Sequence, residues 1–196
     1  IYSSPLQRAA ETAKTIQKNF RGENNIAYDN NLLEVDLGKW SGLTINEIKN
    51  KYPENYLIWK NDPENLKLER TDNLMYKPIQ ELYFQANEFI NSILKIYLEK
   101  NEANILVIGH NAILRCLILS LIGRPKKGFR KIKLDNASFS ILNILKKENS
   151  YTTQIECLNQ TSHLNKKIPE QIGDSRIFLV RHGETNWNKE GRFQGQ

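Results

Sequence analysis

Two stretches of this chain repeat one arrangement, a short apolar run that discharges into a histidine. Asn104-Ile105-Leu106-Val107-Ile108 leads into Gly109-His110, and Ile177-Phe178-Leu179-Val180 leads into Arg181-His182-Gly183. Aliphatic runs of four or five residues ended by such punctuation read as buried strands. Both imidazoles therefore stand at strand carboxyl ends, where open α/β sheets keep their ligands. The chain has only three histidines, so finding two in one setting favours a functional reading over two satisfied structural residues.

The chemistry this suggests is group transfer through an imidazole. A neutral ring nitrogen can attack phosphorus if neighbouring cations neutralise the phosphoryl oxygens and an acid protonates the departing oxygen. Arg181 supplies a cation, Gly183 lets backbone approach a bulky anion, and Asn188 adds a neutral donor.

The opening Ile1-Tyr2-Ser3-Ser4-Pro5-Leu6-Gln7-Arg8 reads as the end of a strand, a turn and the start of an amphipathic helix running to Phe20. Arg8 falls in the first helical turn, near free backbone N–H groups that favour an anion; by helix pattern alone a surface arginine is the better reading. After a short strand at Ile26 to Tyr28, Leu33-Glu34-Val35-Asp36-Leu37-Gly38-Lys39-Trp40 sets two carboxylates two residues apart. One of them can be desolvated against Leu33, Leu37 or Trp40 and held as an acid while the other stays charged. The alternative is a surface loop with ordinary acids.

Thr44 and Glu47 form a capping box at the head of a short helix. Residues 53–70 are polar and aromatic, the kind of excursion that covers an active site; Tyr56 and Trp59 either line that site or, in the preferred reading, pack inward. From Pro78 to Glu99 the residues Leu82, Ala86, Phe89, Ile90, Ile93, Leu94 and Tyr97 make one helical stripe, a core face. Asn111 is placed to cap the apolar helix that follows His110. Two alternating strands, 137–145 and 151–158, form a hairpin, and His163 lies in a loop after it.

With 196 residues and 39% hydrophobic content the chain can bury one ordinary domain and little more. No apolar run approaches the length of a membrane helix and no signal segment opens the chain, which predicts a cytoplasmic protein without a membrane partner. The net charge of +6 gathers in residues 124–133, a lysine- and arginine-rich stretch broken by Pro125 and Gly128. That pattern reads as a solvated connecting loop and not as a nucleic-acid surface. Cys116 and Cys157 sit among aliphatic residues as reduced core thiols, and nothing in their spacing suggests a metal site.

Arg181-His182-Gly183-Glu184-Thr185 with Trp187-Asn188 resembles the signature of the histidine phosphatase superfamily, in its phosphoglycerate-mutase-like branch. Tyr2-Ser3-Ser4-Pro5-Leu6-Gln7-Arg8-Ala9 is similar to that family's second motif, and Leu32-Leu33-Glu34 through Gly38, Trp40 and Gly42 to its third. The resemblance implies an α/β three-layer sandwich with a mostly parallel central sheet flanked by helices. It implies a metal- and cofactor-independent phosphomonoester hydrolase, with His182 as nucleophile and Glu34 as proton donor. Arg181, Arg8, His110 and Asn188 would hold the oxygens of a small phosphorylated metabolite. Val35-Asp36-Leu37-Gly38-Lys39-Trp40 looks like the phosphatase side of the family; transfer to a second hydroxyl, as in a mutase, and a non-catalytic anion-binding member are the alternatives. Asn111 departs from the Gly or Ser that many relatives carry. A bell-shaped pH profile follows if His182 must be neutral and Glu34 protonated.

The motifs stand in an unusual order, with the Arg-His-Gly segment last. The expectation is a domain over residues 1–164 that lacks its opening strand and helix, a polar linker over 165–175, and, over 176–196, the opening segment of a second copy. A circularly permuted domain is the alternative, in which the same segment fills the missing strand and brings His182 beside His110.

Overall fold

A computed structural model describes residues 1–20, 25–97, 103–125, 127–148 and 150–165. Arg181, His182 and Asn188 lie outside the described residues. The chain divides into two compact units, Ile1–Thr161 and Ser162–Gln196. In the second, Ser162–Leu164 forms a single 3-10 turn.

The elements of the first unit, in chain order, are β1 (Tyr2–Ser3), α1 (Gln7–Gln17), β2 (Ala27–Tyr28), α2 (Ile45–Lys51), α3 (Pro53–Asn61), β3 (Leu68–Glu69), β4 (Met75–Tyr76), α4 (Pro78–Tyr97), β5 (Val107–Ile108), α5 (Asn111–Leu121), β6 (Phe139–Lys147) and β7 (Ser150–Gln160). The central sheet has the order β2-β1-β5 and both pairings are parallel. Its register sets Tyr2 opposite Val107 and Ser3 opposite Ile108. Because side chains alternate across a strand, the two faces receive different partners. Tyr2 and Val107 pack on the large core of α4 and α5, with Phe89, Ile113 and Cys116 at its centre. Ile1 and Ile108 pack on the opposite side against Ala9 and Ala13 of α1. Helices thus cover both faces, which makes the three-layer α/β sandwich that the sequence implied.

Each helix is seated by its own residue pattern. Alanines at positions 9 and 13, both buried, let α1 approach the sheet closely. On α4 the buried positions 82, 86, 89 and 90 follow the stripe read from the sequence, over a length of about 30 Å. Phe89 meets Tyr2 edge to face at 5.5 Å, and the Tyr2 hydroxyl lies 3.3 Å from that of Tyr97. That bond, followed by burial, pushes the Tyr2 phenol up to about 12. Cys116 is fully buried and its thiol is pushed up by the same desolvation, so it is inert as a nucleophile.

The excursion between β2 and α4 folds more than the sequence suggested. Thr44 and Glu47 do form a capping box at the head of α2. Residues 53–70, read as a polar and aromatic excursion, contain α3, with Pro53 at its first position and little amphipathic pattern to announce it. Trp40, Ile48, Leu66, Leu68 and Tyr76 close a second small core here. Gly38 has φ +50° and a Cβ at this position would stand 2.4 Å from the Glu69 carbonyl oxygen, so the turn after Glu34 requires glycine. The basic stretch 124–133 is also not simply solvated. Phe129 is 1% exposed and Ile132 is buried, so the loop is anchored by its apolar residues. The hairpin of β6 and β7 is longer than its alternating pattern predicted, with irregular register between Phe139 and Leu142. Among the described residues no helix is long and apolar enough to cross a membrane.

Candidate active site

The carboxyl ends of β1 and β5 are adjacent in the sheet, and each passes directly into a helix start. Ser4 follows β1 and donates its backbone N–H to the Ile108 carbonyl at 2.9 Å. His110 follows β5 and is the N-cap residue of α5, in extended backbone conformation. The ladder therefore fixes the distance between the Ser4-to-Arg8 turn and His110, which are 102 residues apart in the case of Arg8.

His110 is 8% exposed and both its ring nitrogens are used. Arg8 donates Nε–H to Nδ1 at 3.1 Å. An arginine nitrogen can only donate, so Nδ1 accepts and the proton sits on Nε2, which donates to Ser4 Oγ at 2.8 Å. That hydroxyl oxygen also accepts the Leu6 backbone N–H at 3.3 Å. This is the neutral tautomer, and the electrostatics agree with it. Burial, then the Arg8 charge, lowers the His110 pKa below its ordinary value of 6.5, against a smaller opposing pull from Glu34.

The direction has a consequence for stability. With the folded pKa below the unfolded one, the unfolded chain binds more protons as pH falls through 6.5, so the stability present above that value is lost on acidification until the folded pKa is passed. Urea midpoints of the wild type are expected to fall between pH 7.5 and 5 more steeply than those of His110→Gln. Equal slopes would show that His110 does not titrate in this window.

Glu34 reaches the same place from the third side. Its Oε1 accepts the backbone N–H groups of Val35 at 2.9 Å, Ala112 at 3.1 Å and Ile113 at 3.4 Å, while Oε2 lies 3.3 Å from the Ala112 nitrogen. Ala112 and Ile113 are in the first turn of α5, whose N–H groups have no partner within the helix and whose positive dipole end favours an anion. Asn111 was expected to cap this helix. Instead the carboxylate of Glu34 does so, and Asn111 donates its side-chain amide to the Leu134 carbonyl at 2.7 Å. The sequence suggested a Glu34 carboxylate desolvated against Leu33, Leu37 or Trp40; the contacts that hold it are these backbone donors. Asp36, the other acid of the pair, accepts the Gly38 N–H at 2.8 Å and faces Arg70 at 3.5 Å on the surface. It is a turn residue.

Two positioning residues escaped the sequence. Ser4 is 0% exposed and orients the His110 ring. Gln85 of α4 donates its amide to the carbonyls of Asn31 at 3.1 Å and Leu33 at 2.9 Å, holding the segment that carries Glu34. The available signal was a polar residue inside the apolar stripe of α4.

Arg8, His110 and Glu34 thus stand together, and His163, placed in a 3-10 turn of the second unit, belongs to another segment. Arg8 is in none of the ion pairs among the described residues, so its charge is available to an anion. A cation, a neutral imidazole and a carboxylate are thereby gathered where β1 and β5 of a parallel sheet end and α5 begins. The chain belongs to branch 1 of the histidine phosphatase superfamily, whose model matches residues 1–156 and 177–196.

Phosphoserine phosphatase 1 of Hydrogenobacter thermophilus is 28% identical over 166 residues, spanning 85% of this chain and 72% of that protein. The 2-carboxy-D-arabinitol-1-phosphatase of Triticum aestivum is 26% identical across 99% of this chain, which spans only 38% of that relative's length. The structure of YhfR from Bacillus stearothermophilus superimposes with a TM-score of 0.70 at 22% identity, covering 83% of this chain and 74% of that one. That likeness shows the fold.

Proposed function

We propose that this chain carries the machinery of a metal-independent phosphomonoester hydrolase that works through a phosphohistidine on His182. The observation that supports this most is the convergence of Arg8, His110 and Glu34, with Arg8 unpaired by any carboxylate among the described residues. A ring nitrogen of His182 attacks phosphorus as the ester P–O bond breaks, and Glu34 gives its proton to the leaving oxygen. Water then attacks the phosphohistidine, the P–N bond breaks and Glu34 takes the proton back. Arg181, Arg8, His110 and Asn188 hold the phosphoryl oxygens. His110 Nε2–H now donates to Ser4 and can exchange that bond for a phosphoryl oxygen at little net cost. Oε2 of Glu34, with one long contact against three for Oε1, is the oxygen suited to carry the proton.

The substrate class is a small phosphorylated metabolite, as the names of the phosphoserine and carboxyarabinitol phosphate relatives suggest. Alignment of nearly the whole chain with little more than a third of the wheat protein supports a tandem arrangement. In it, residues 1–164 belong to one domain, 165–175 to a linker and 176–196 to the opening of the next. The closing segment then serves either the sheet of its own chain, as in a permuted domain, or a neighbouring domain.

The test is hydrolysis of p-nitrophenyl phosphate by the 196-residue chain in excess EDTA, with glycerol present as a competing acceptor. Phosphate release insensitive to chelation, with water as the acceptor, is the expected result. Activity lost to EDTA and restored by Mg²⁺ would sink the metal-free mechanism. Phosphoryl transfer to glycerol in preference to water would mark a mutase, and a chain that binds phosphate without turnover would be an anion-binding module.

A further inference from the structure

Helix α5 is apolar through its middle except at Arg115, a half-buried residue whose Nε is buried without a hydrogen-bond partner. Among the described residues Arg115 makes no ion pair. Its guanidinium lies over the Phe129 ring at 5.3 Å. Arg130 approaches the same ring at 5.8 Å, stacks over Trp59 at 4.6 Å and donates to the Trp59 carbonyl at 2.6 Å. The two rings are themselves 6.2 Å apart. Two guanidinium groups are therefore gathered on one aromatic platform, both within cation–π distance of Phe129.

Like charges this close oppose each other. Burial, then Arg130, lowers the Arg115 pKa, and burial does the same for Arg130. The carboxylates that face them do not relieve this by pairing. Glu34 is held by α5 backbone donors, and Glu64, which faces Arg130, accepts the Phe129 N–H at 3.2 Å. Such a pair is costly to keep unless an anion from outside completes it.

The pair also stands where a substrate would extend. Arg115 follows Ala112 by three residues and so shares its helix face, and side chains on a helix lean toward its N-terminus. The Arg115 guanidinium therefore leans toward the end of α5 that holds Glu34, whose charge it senses. A leaving oxygen protonated by Glu34 sits at that end, and the remainder of the leaving group lies beyond it.

We propose that Arg115 and Arg130, on the Phe129–Trp59 platform, form a second anion subsite that selects phosphate esters whose alcohol portion carries a further anionic group. A carboxylate or a second phosphate has the planar or multi-oxygen acceptor geometry that the guanidinium fork matches. The proposal rests on the phosphatase reading of the neighbouring site for its orientation, and its test separates the two.

The matched probes are glycerol 3-phosphate, 3-phosphoglycerate, in which a carboxylate replaces the terminal hydroxymethyl group, and glycerol 1,3-bisphosphate, in which that hydroxyl carries a second phosphate. The full chain is expected to prefer one or both charged probes over glycerol 3-phosphate. Arg115→Met and Arg130→Met are each expected to reduce that preference about tenfold or more, through KM rather than kcat. Arg130 lies at the exposed rim, so its variant keeps the test valid if Arg115→Met fails to fold. Calorimetric binding of the same three probes reads the preference without turnover. If nothing is hydrolysed but the binding preference is present and lost in the variants, the phosphatase reading fails and the subsite stands. A wild type without preference, or variants in which all three probes weaken in parallel, would overturn the subsite.

Discussion

His182→Ala is expected to eliminate the acid-labile phosphoenzyme and to lower phosphate release on the order of 10⁴-fold or more, the scale on which removal of a covalent nucleophile acts. The reason is specific to the proposed chemistry. Arg8, His110 and Glu34 bind and protonate, but none of them presents a free ring nitrogen, since both nitrogens of His110 are committed to Arg8 and Ser4. The variant should still bind inorganic phosphate within about tenfold of the wild type, because one imidazole adds little to what the cations supply. Quenched-flow trapping with a labelled phosphate ester, followed by acid and base treatment, reads the intermediate directly. A phosphoenzyme that persists in His182→Ala would move the nucleophile to another residue and remove the central claim of the mechanism.

Arg8→Ala is expected to lower kcat/KM by roughly 10² to 10³, the range for losing one preorganised donor to transition-state charge. It acts twice. The phosphoryl oxygens lose a cation, and the buried Nδ1 of His110 loses its donor, an unsatisfied acceptor that costs about 1 to 3 kcal/mol. The variant should therefore be measurably less stable, which a surface arginine would not predict. Arg8→Lys separates the two contributions, because an ammonium keeps the charge but cannot present Nε to the imidazole and a planar fork to the phosphoryl group together. It is expected to recover less than a tenth of the lost activity. Full recovery by lysine would mean that Arg8 acts only as a point charge.

The sequence was most readable where function and local structure coincide. A strand ending in histidine, a proline-led helix with an arginine in its first turn and a glutamate before a glycine turn are all local signals; their meeting in space was implied only by the family resemblance, and the fold does bring Arg8, Glu34 and His110 together. What stayed hidden was set by long-range contact. Asn111 was a reasonable cap for α5 by position, but the cap came from Glu34, 78 residues away from Ala112 in the chain. Nothing in the periodicity around either residue encodes that pairing. Helix α3 escaped because its apolar residues do not form a stripe, and Phe129 because lysines and arginines surround it. Arg115 was visible only as a blemish in an apolar helix. Its meaning depended on Arg130 and Trp59, which local pattern places in a charged loop and a polar excursion.

Glu34 caps α5, and under the mechanism proposed above the same carboxylate carries the proton, so catalysis and folding would meet in one side chain. In most enzymes an acid can be retuned by substitution at little cost to the scaffold. Here, weakening the hold of the backbone on Glu34 loosens the first turn of the helix that also presents His110 and Arg115. Under that mechanism a substitution at position 34 would cost both the proton donor and the cap of α5.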